Sequence, residues 1–278
     1  TLQTGDTVDA TGEGNVLNAF LNANEGIPGG TLNPALNNVQ ELNITQQGAG
    51  TELTYNASAS AELTIVSFDG TNAAGDNTVA TVTDAFTLRN LQQPLETLSL
   101  SNLSDDVTVT HAASVLQGDD DTIALNLSEV TQDAAPASPQ IAIGDSSGDE
   151  IETIDITSEG GVTNFIELQT GGGASDLGTV NVAGTQSLNL TFDGSDANDL
   201  TVDASGVTEP TDTDGDNDFD EGNVSVTFGT TADNTFTGGA GDDFVGFGAG
   251  QFDEDDTIDG GDNSSEGQDT LGIQLSGD

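Results

Sequence analysis

The densest group of potential metal ligands is the segment DTDGDNDFDE, which covers residues 212–221. Aspartate recurs at alternate positions, so an extended or looped backbone would present several carboxylate oxygens around one centre. Calcium takes six to eight oxygen ligands at about 2.4 Å and accepts such irregular geometry. The spacing begins like an EF-hand loop, but Asn217 stands where that loop needs glycine. We therefore expect an aspartate-rich calcium loop, with a solvated acidic loop as the alternative. The candidate ligands are Asp212, Asp214, Asp216, Asp218, Asp220 and Glu221.

A second group of carboxylates lies among glycines in GGAGDDFVG, residues 238–246. This segment matches the nonapeptide G-G-x-G-x-D-x-U-x, in which U is a large apolar residue. The motif forms a tight glycine turn followed by a very short strand, and the turn offers carboxylates and carbonyls to calcium. The related DDTIDGGD follows at 255–262. Several calcium ions are therefore expected, and the further candidate ligands are Asp242, Asp243, Asp255, Asp256, Asp259 and Asp262.

The charge balance makes bound cations necessary and excludes several partners. The chain has 49 Asp plus Glu, one basic residue (Arg89) and one histidine (His111), with a formal charge of −48. Such a charge opposes the compact state unless cations neutralise it. Nucleic acids and anionic membrane surfaces are excluded as partners because phosphate contacts need Lys and Arg. No apolar run approaches the roughly 18 residues of a membrane helix.

The strands that would carry these turns are short and frequent. Apolar residues alternate with polar ones in many segments, among them VTVT, IALNL, TIDI and VSVTF. The segments VQELNI, LETLSL and IETIDI start at Val39, Leu95 and Ile151, so each start follows the last by 56 residues. A weaker copy, TQSLNL, starts at Thr185. Repetition of this kind is typical of solenoids.

Very short strands with Gly/Asp turns favour an all-β fold, a parallel β-helix or β-solenoid, in which the 56-residue unit contains two or three coils. An array of β-sandwiches is the alternative. Residues 1–205 would form the strand-repeat region, and residues 206–278 an acidic calcium-binding region continuous with it. The segment at 13–24 fits one short helix or an irregular strand and loop.

Nothing in the sequence favours catalysis. His111 has no nearby Ser–Asp arrangement and no second histidine, which predicts a structural or surface role. Carboxylate pairs that could hydrolyse glycosides are too abundant to single one out. The chain has no Trp and one Tyr, so it lacks an aromatic platform for sugars. We expect a protein that is not an enzyme, and a β-helical polysaccharide-acting enzyme is the less favoured alternative.

The nonapeptide GGAGDDFVG, the segment LQTGDTVDATGEGNVLNAF and the recurrent VQELNI, LETLSL and IETIDI resemble the secreted RTX family. Within that family they look closest to calcium-dependent bacterial surface-layer proteins and β-strand-repeat adhesins. The chain has one good nonapeptide where RTX proteins carry an array. The resemblance implies export by type I secretion, folding on contact with external calcium, and a place outside the cell or on its surface.

These expectations combine into a self-assembling structural protein, a surface-layer or fibre subunit that calcium folds and cross-links. Unpaired strand edges at the ends of a solenoid are templates for another chain, so copies would join end to end. Calcium would bridge carboxylates that otherwise repel across this contact. The alternative function is a calcium-stiffened segment of a larger adhesin. A cell-surface polysaccharide is a second candidate partner.

Overall fold

A computed structural model of the 278-residue chain describes residues 2, 5–22, 30–47, 53–70, 85–113, 115–118, 120–132, 138–145, 151–169, 177–193, 199–208, 222–229, 232–261 and 268–275. These residues form 22 β-strands and no helix, and they therefore contain no helix long and apolar enough to cross a membrane. Each of these strands contains two to nine residues.

Ten strands form sheet 1, and ten others form sheet 2. With all strands numbered in chain order, sheet 1 contains β2 (Val16–Asn22), β5 (Glu41–Gln47), β7 (Ile65–Asp69), β9 (Thr97–Leu103), β11 (Thr122–Val130), β13 (Thr153–Glu159), β15 (Thr179–Gly184), β17 (Thr201–Val207), β19 (Thr235–Thr237) and β21 (Thr257–Asp259). Sheet 2 contains β3 (Thr31–Leu32), β6 (Leu53–Asn56), β8 (Phe86–Leu91), β10 (Val107–His111), β12 (Gln140–Asp145), β14 (Asn164–Gln169), β16 (Leu188–Phe192), β18 (Val224–Phe228), β20 (Phe244–Phe247) and β22 (Thr270–Ile273). Strands β1 (Thr7–Asp9) and β4 (Ala35–Asn37) form a small third sheet.

The chain alternates between the two large sheets, and each strand pairs in parallel with strands of the neighbouring coils. This is the predicted parallel β-solenoid. The sandwich array is wrong, because sandwiches of that kind are built from antiparallel strands. Segment 13–24 contributes β2, so the helix alternative is wrong as well.

Two-residue periodicity determines which side chains enter the core. In sheet 1 the aligned Leu98, Leu125 and Ile156 are buried, and the residues that follow them are polar and lie on the outer face. Aromatic residues also stack from coil to coil: the rings of Phe192 and Phe228 are 5.8 Å apart, and those of Phe228 and Phe247 are 5.2 Å apart. Apolar burial of this kind is the main source of stability.

The 56-residue repeat corresponds to two coils. Its copies at Val39, Leu95 and Ile151 lead into β5, β9 and β13, which are every second strand of this part of sheet 1. The fourth copy is wrong. Residues 185–190 lead into β16 of sheet 2, so their likeness to the others reflects strand alternation alone.

The turns form two edges. We call the turns that lead from sheet 2 to sheet 1 edge A, and those that lead from sheet 1 to sheet 2 edge B. Strand β17, which spans the expected region boundary at residue 206, pairs with β15 and β19. The strand ladder therefore runs across that boundary.

Candidate metal centre

Aspartates stack along edge A near the end of the chain. Thr201, Thr235 and Thr257 are aligned in adjacent strands of sheet 1, and each has an aspartate two positions earlier: Asp199, Asp233 and Asp255. In parallel strands residues at the same offset lie above one another. The backbone N–H of Asp233 donates to Oδ1 of Asp199 at 3.2 Å, as this stacking requires.

Two of the stacked carboxylates, those of Asp233 and Asp255, lie together with the carboxylate of Asp253. One oxygen from each lies within 4.8 Å of the others, and all three side chains are exposed. Desolvation and the negative charges of Asp255, Asp199, Asp253 and Asp256 raise the pKa of Asp233. Hard oxygen donors at this separation fit calcium, whose flexible coordination accepts carboxylates and water together. A divalent ion here would also remove the mutual repulsion.

The neighbouring Asp256 is occupied by backbone contacts. Its Oδ1 accepts the N–H of Asn234 at 2.8 Å, and its Oδ2 accepts the N–H of Asp253 at 2.9 Å. Asn234 is fully buried and donates its side-chain amide to the carbonyl of Ala232 at 2.7 Å. Asp256 therefore shapes the turn and is less available to an ion than Asp255.

A recurring contact explains this difference, and we call it the coil bracket. A side-chain oxygen of the residue directly before a strand accepts the backbone N–H of the aligned residue in the preceding coil. In the described part of the chain, five residues make this contact: Gln40 to Asn15, Glu152 to Asp121, Asp243 to Val224, Asp256 to Asn234 and Asp269 to Asp243. The bracket satisfies a backbone donor at the junction between a turn and a strand.

At edge B the nonapeptide carboxylate is a bracket. Asp243 is 2% exposed, and it accepts the N–H of Val224 at 2.7 Å and that of Gly239 at 2.8 Å. Burial raises its pKa to about 6; the two backbone donors oppose the shift, and the charges of Asp269 and Asp242 add to it. Asp242 is exposed, and its Oδ1 accepts the N–H of Gln268 at 2.8 Å.

Glycine is required where the edge B turns meet. A Cβ on Gly238 would collide with the carbonyl oxygen of Gly260 and with Oδ2 of Asp243. The turn therefore needs glycine so that the backbones of successive coils can come together over a buried carboxylate. Here the nonapeptide builds a closed turn, which Asp243 holds through the N–H of Gly239 within the motif and that of Val224 in β18.

The remaining edge B candidate is Asp259, at the end of β21. It lines a cleft of about 370 Å³ together with Thr208, Thr237 and Gly238. Because the other polar side chains that line this cleft are hydroxyls, it offers an ion a single carboxylate and therefore fewer charged ligands than the cluster at edge A.

The structure thus distributes the sequence candidates between two edges. Asp255 and Asp256 lie at edge A, and Asp242, Asp243 and Asp259 lie at edge B. The other candidates are outside the described residues: Asp212, Asp214, Asp216, Asp218, Asp220, Glu221 and Asp262. Sequence reasoning missed Asp233 and Asp253. The signal that identifies Asp233 is the recurrence of Asp-x-Thr at 199, 233 and 255.

Comparisons with protein-family models, curated proteins and solved structures find no match to this chain.

Proposed function

We propose that the chain is a structural protein, without enzymatic activity, that acts outside the cell as a surface-layer or fibre subunit folded and cross-linked by calcium. The observation that carries this proposal is the exposed cluster of Asp233, Asp253 and Asp255 on a parallel solenoid. The resemblance of the chain's sequence to secreted RTX proteins supports export by type I secretion. Since the chain has one basic residue, calcium is the simplest source of compensating charge.

Calcium should act as a folding ligand, because an ion that binds only the folded state adds its binding free energy to stability. Circular dichroism in chelator should show less β signal, which returns when millimolar calcium is added. Magnesium at the same concentration should restore less, because it requires near-octahedral geometry and sheds water reluctantly. An identical β signal in chelator and in calcium would contradict the proposal.

The cluster at edge A offers a matched pair of variants. Asp255→Asn removes a clustered carboxylate, whereas Glu254→Gln makes the same charge change at an exposed neighbour outside the cluster. Asp255→Asn should raise the calcium concentration at half-maximal folding by roughly tenfold, because site affinity follows the number of charged ligands. Equal shifts for the two variants would indicate diffuse screening in place of a defined site.

Assembly is supported by the last strand of sheet 2. Leu271 and Ile273 are 44% and 43% exposed, although they align with the buried Val245 and Phe247 of the preceding coil. These two residues therefore occupy core positions on a strand that pairs on one side only. Another solenoid coil packed on this strand would cover their side chains and form hydrogen bonds with its backbone. A second copy would supply that coil from its own first strands, with calcium between the acidic surfaces.

The test is negative-stain microscopy in calcium with two variants. Leu271→Asn combined with Ile273→Asn should leave a folded monomer that no longer forms filaments or sheets. Leu275→Asn, at an 84% exposed residue just beyond β22, should assemble like the parent. Sodium at equal ionic strength should not replace calcium, because monovalent salt screens without bridging. Ordered assembly by the double variant would exclude this end as the contact.

The same open edge supports the second candidate, a calcium-stiffened segment of a larger adhesin, in which the covering coil belongs to a longer solenoid. That segment would stay monomeric in calcium at concentrations where a subunit assembles. Sedimentation velocity therefore separates the two functions. Cell-surface polysaccharide remains a proposed partner of either one, and retention of the protein on isolated envelope glycan would test it.

A further inference from the structure

The chain's one histidine joins three successive coils. His111 ends β10 at edge A and is fully buried. Its Nε2 accepts the backbone N–H of Leu95 at 3.1 Å, in the turn that follows β8. Its Nδ1 lies 3.0 Å from the carbonyl oxygen of Gly144 in β12. One ring thus connects the coil before its own to the coil after it.

These two contacts fix the protonation state of the ring. A carbonyl oxygen can only accept, so Nδ1 carries a proton and donates to Gly144. The N–H of Leu95 can only donate, so Nε2 carries none. The imidazole of His111 is therefore neutral, with its proton on Nδ1. A second proton on Nε2 would turn it against the N–H of Leu95 and leave two buried donors without an acceptor.

Each element that packs against the imidazole ring of His111 carries charged groups. Asp145 aligns with His111 from β12, and Asp121 lies before β11. On the side of β8, Arg89 and Glu96 are both exposed. Burial lowers the pKa of His111 below 6.5, and the carbonyl of Gly144 and the charges of Asp145 and Asp121 oppose this shift only in part.

We propose that His111 is an acid-sensitive latch, which holds the turn after β8, the end of β10 and strand β12 together while it is neutral and opens these contacts locally when it is protonated. The inference does not depend on the proposed function. Because the folded-state pKa is lowered, the stabilisation is fully present above about 6.5 and is lost as the pH falls through the folded value.

Nuclear magnetic resonance tests the latch directly, because one histidine gives one set of imidazole signals. We expect an Nδ1-protonated neutral ring that titrates below 6.5. Hydrogen exchange at the Leu95 amide, corrected for intrinsic rates, should accelerate between pH 7.5 and 5.5 by at most about tenfold, since pH 5.5 lies one unit below the ordinary pKa of 6.5 and one unit is a tenfold change in the protonation equilibrium. Titration at or above 6.5, or an unchanged corrected rate in the parent protein, would overturn the inference.

Two variants isolate the ring. His111→Gln keeps a donor and an acceptor and cannot be protonated, so its Leu95 amide should exchange at the same corrected rate at both pH values. Tyr55→Phe removes another buried contact at edge A, the 3.1 Å hydrogen bond to Ser60, and should keep the full acid response. Acid-induced opening that persists in a folded His111→Gln protein would overturn the latch; if that variant does not fold, the measurements on the parent decide.

Discussion

Edge A and edge B each contain two consecutive aspartates directly before a strand, Asp255–Asp256 and Asp242–Asp243. The first aspartate of each pair is exposed, and the second accepts backbone hydrogen bonds. At edge B, Asp243 is buried and holds two backbone donors. At edge A, Asp233 and Asp255 are exposed and lie beside a third carboxylate. The two cases differ in the number of residues between the aspartate and the start of the next strand. A carboxylate directly before a strand can reach back to the previous coil, whereas one placed a residue earlier projects from the turn into solvent.

Asp199 lies two residues before β17 and accepts the N–H of Asp233, so position alone does not decide the role. In the turn before β21, however, the residue directly before the strand is structural, and the residue before it is available to an ion. This separates Asp256 from Asp255 within one pair of neighbours. Asp242 is intermediate, because it is exposed but accepts the N–H of Gln268. Four variants or conditions probe this distinction, taken from the largest expected effect to the smallest.

The largest effect is expected for Asp243→Ala. It leaves the N–H groups of Val224 and Gly239 without their acceptor in a buried turn, which should cost about 3 kcal/mol of unfolding free energy. Urea unfolding in chelator measures the loss. Asp243→Asn retains a side-chain oxygen and should lose clearly less. Similar losses for the two variants would mean that charge and not the bracket matters at this position.

The pH dependence of Asp243 comes next. Its pKa is raised to about 6 in the folded protein from 3.8 in the unfolded chain, so the folded state binds the proton more tightly. The destabilisation is fully present above about pH 6 and is relieved as the pH falls towards 3.8. In chelator, the urea midpoint of the parent protein should therefore gain more between pH 7.5 and 5 than that of Asp243→Asn. Parallel pH profiles would show that Asp243 does not titrate in this window.

A smaller contrast is expected within edge A. Asp256→Ala removes the acceptor for Asn234 and Asp253 and should cost about 1–2 kcal/mol, since the carboxylate is partly exposed. In chelator, Asp255→Ala should slightly raise the urea midpoint, because it lowers the repulsion in the cluster. In calcium the same variant should lose that gain. The reverse order of the two variants in chelator would contradict the positional rule.

The smallest effect is expected for Glu129→Ala. Glu129 has a φ of 58° and accepts the N–H of Gly161 at 2.6 Å in an exposed part of edge B. Alanine keeps the strained backbone and removes only the side-chain contact, so the cost should be at most about 1 kcal/mol. Glu129→Gln, which keeps the acceptor, is the matched control. A loss as large as that of Asp243→Ala would mean that exposure does not determine the strength of such contacts.

Much of the fold could be predicted because period-2 alternation indicates strands, and very short strands with glycine-rich turns favour a solenoid over the sandwich array that the same alternation allows. The equal spacing of the segments at Val39, Leu95 and Ile151 predicted a unit of two or three coils, and the structure has two. The copy at Thr185 failed because all strands share the same alternation, whichever sheet they enter. The chain changes sheet at each turn, so the sheet to which a strand belongs depends on how many turns precede it. A six-residue pattern carries no information about that number.

The site was harder to predict, because calcium ligands and bracket carboxylates are the same residue types. Asp233 stands in DNT, without a neighbouring carboxylate, and only register places it beside Asp255. Conversely, Asp243 fits the nonapeptide but is buried against backbone donors. His111 was expected to be structural or at the surface. It is structural, and no short motif connects it to its two partners, which lie in the turn after β8 and in β12.

The position of Arg89 has a consequence for proteolysis. Trypsin-like proteases cut after basic residues, which their acidic specificity pocket receives, and this chain offers them one such residue. Arg89 lies in β8 between β6 and β10, aligned with Asn56 and Thr110. A protease must separate this strand from its neighbours before it can bind the peptide in its cleft. Such an enzyme can therefore nick the molecule once, and the rate of that nick reports how often a single coil opens.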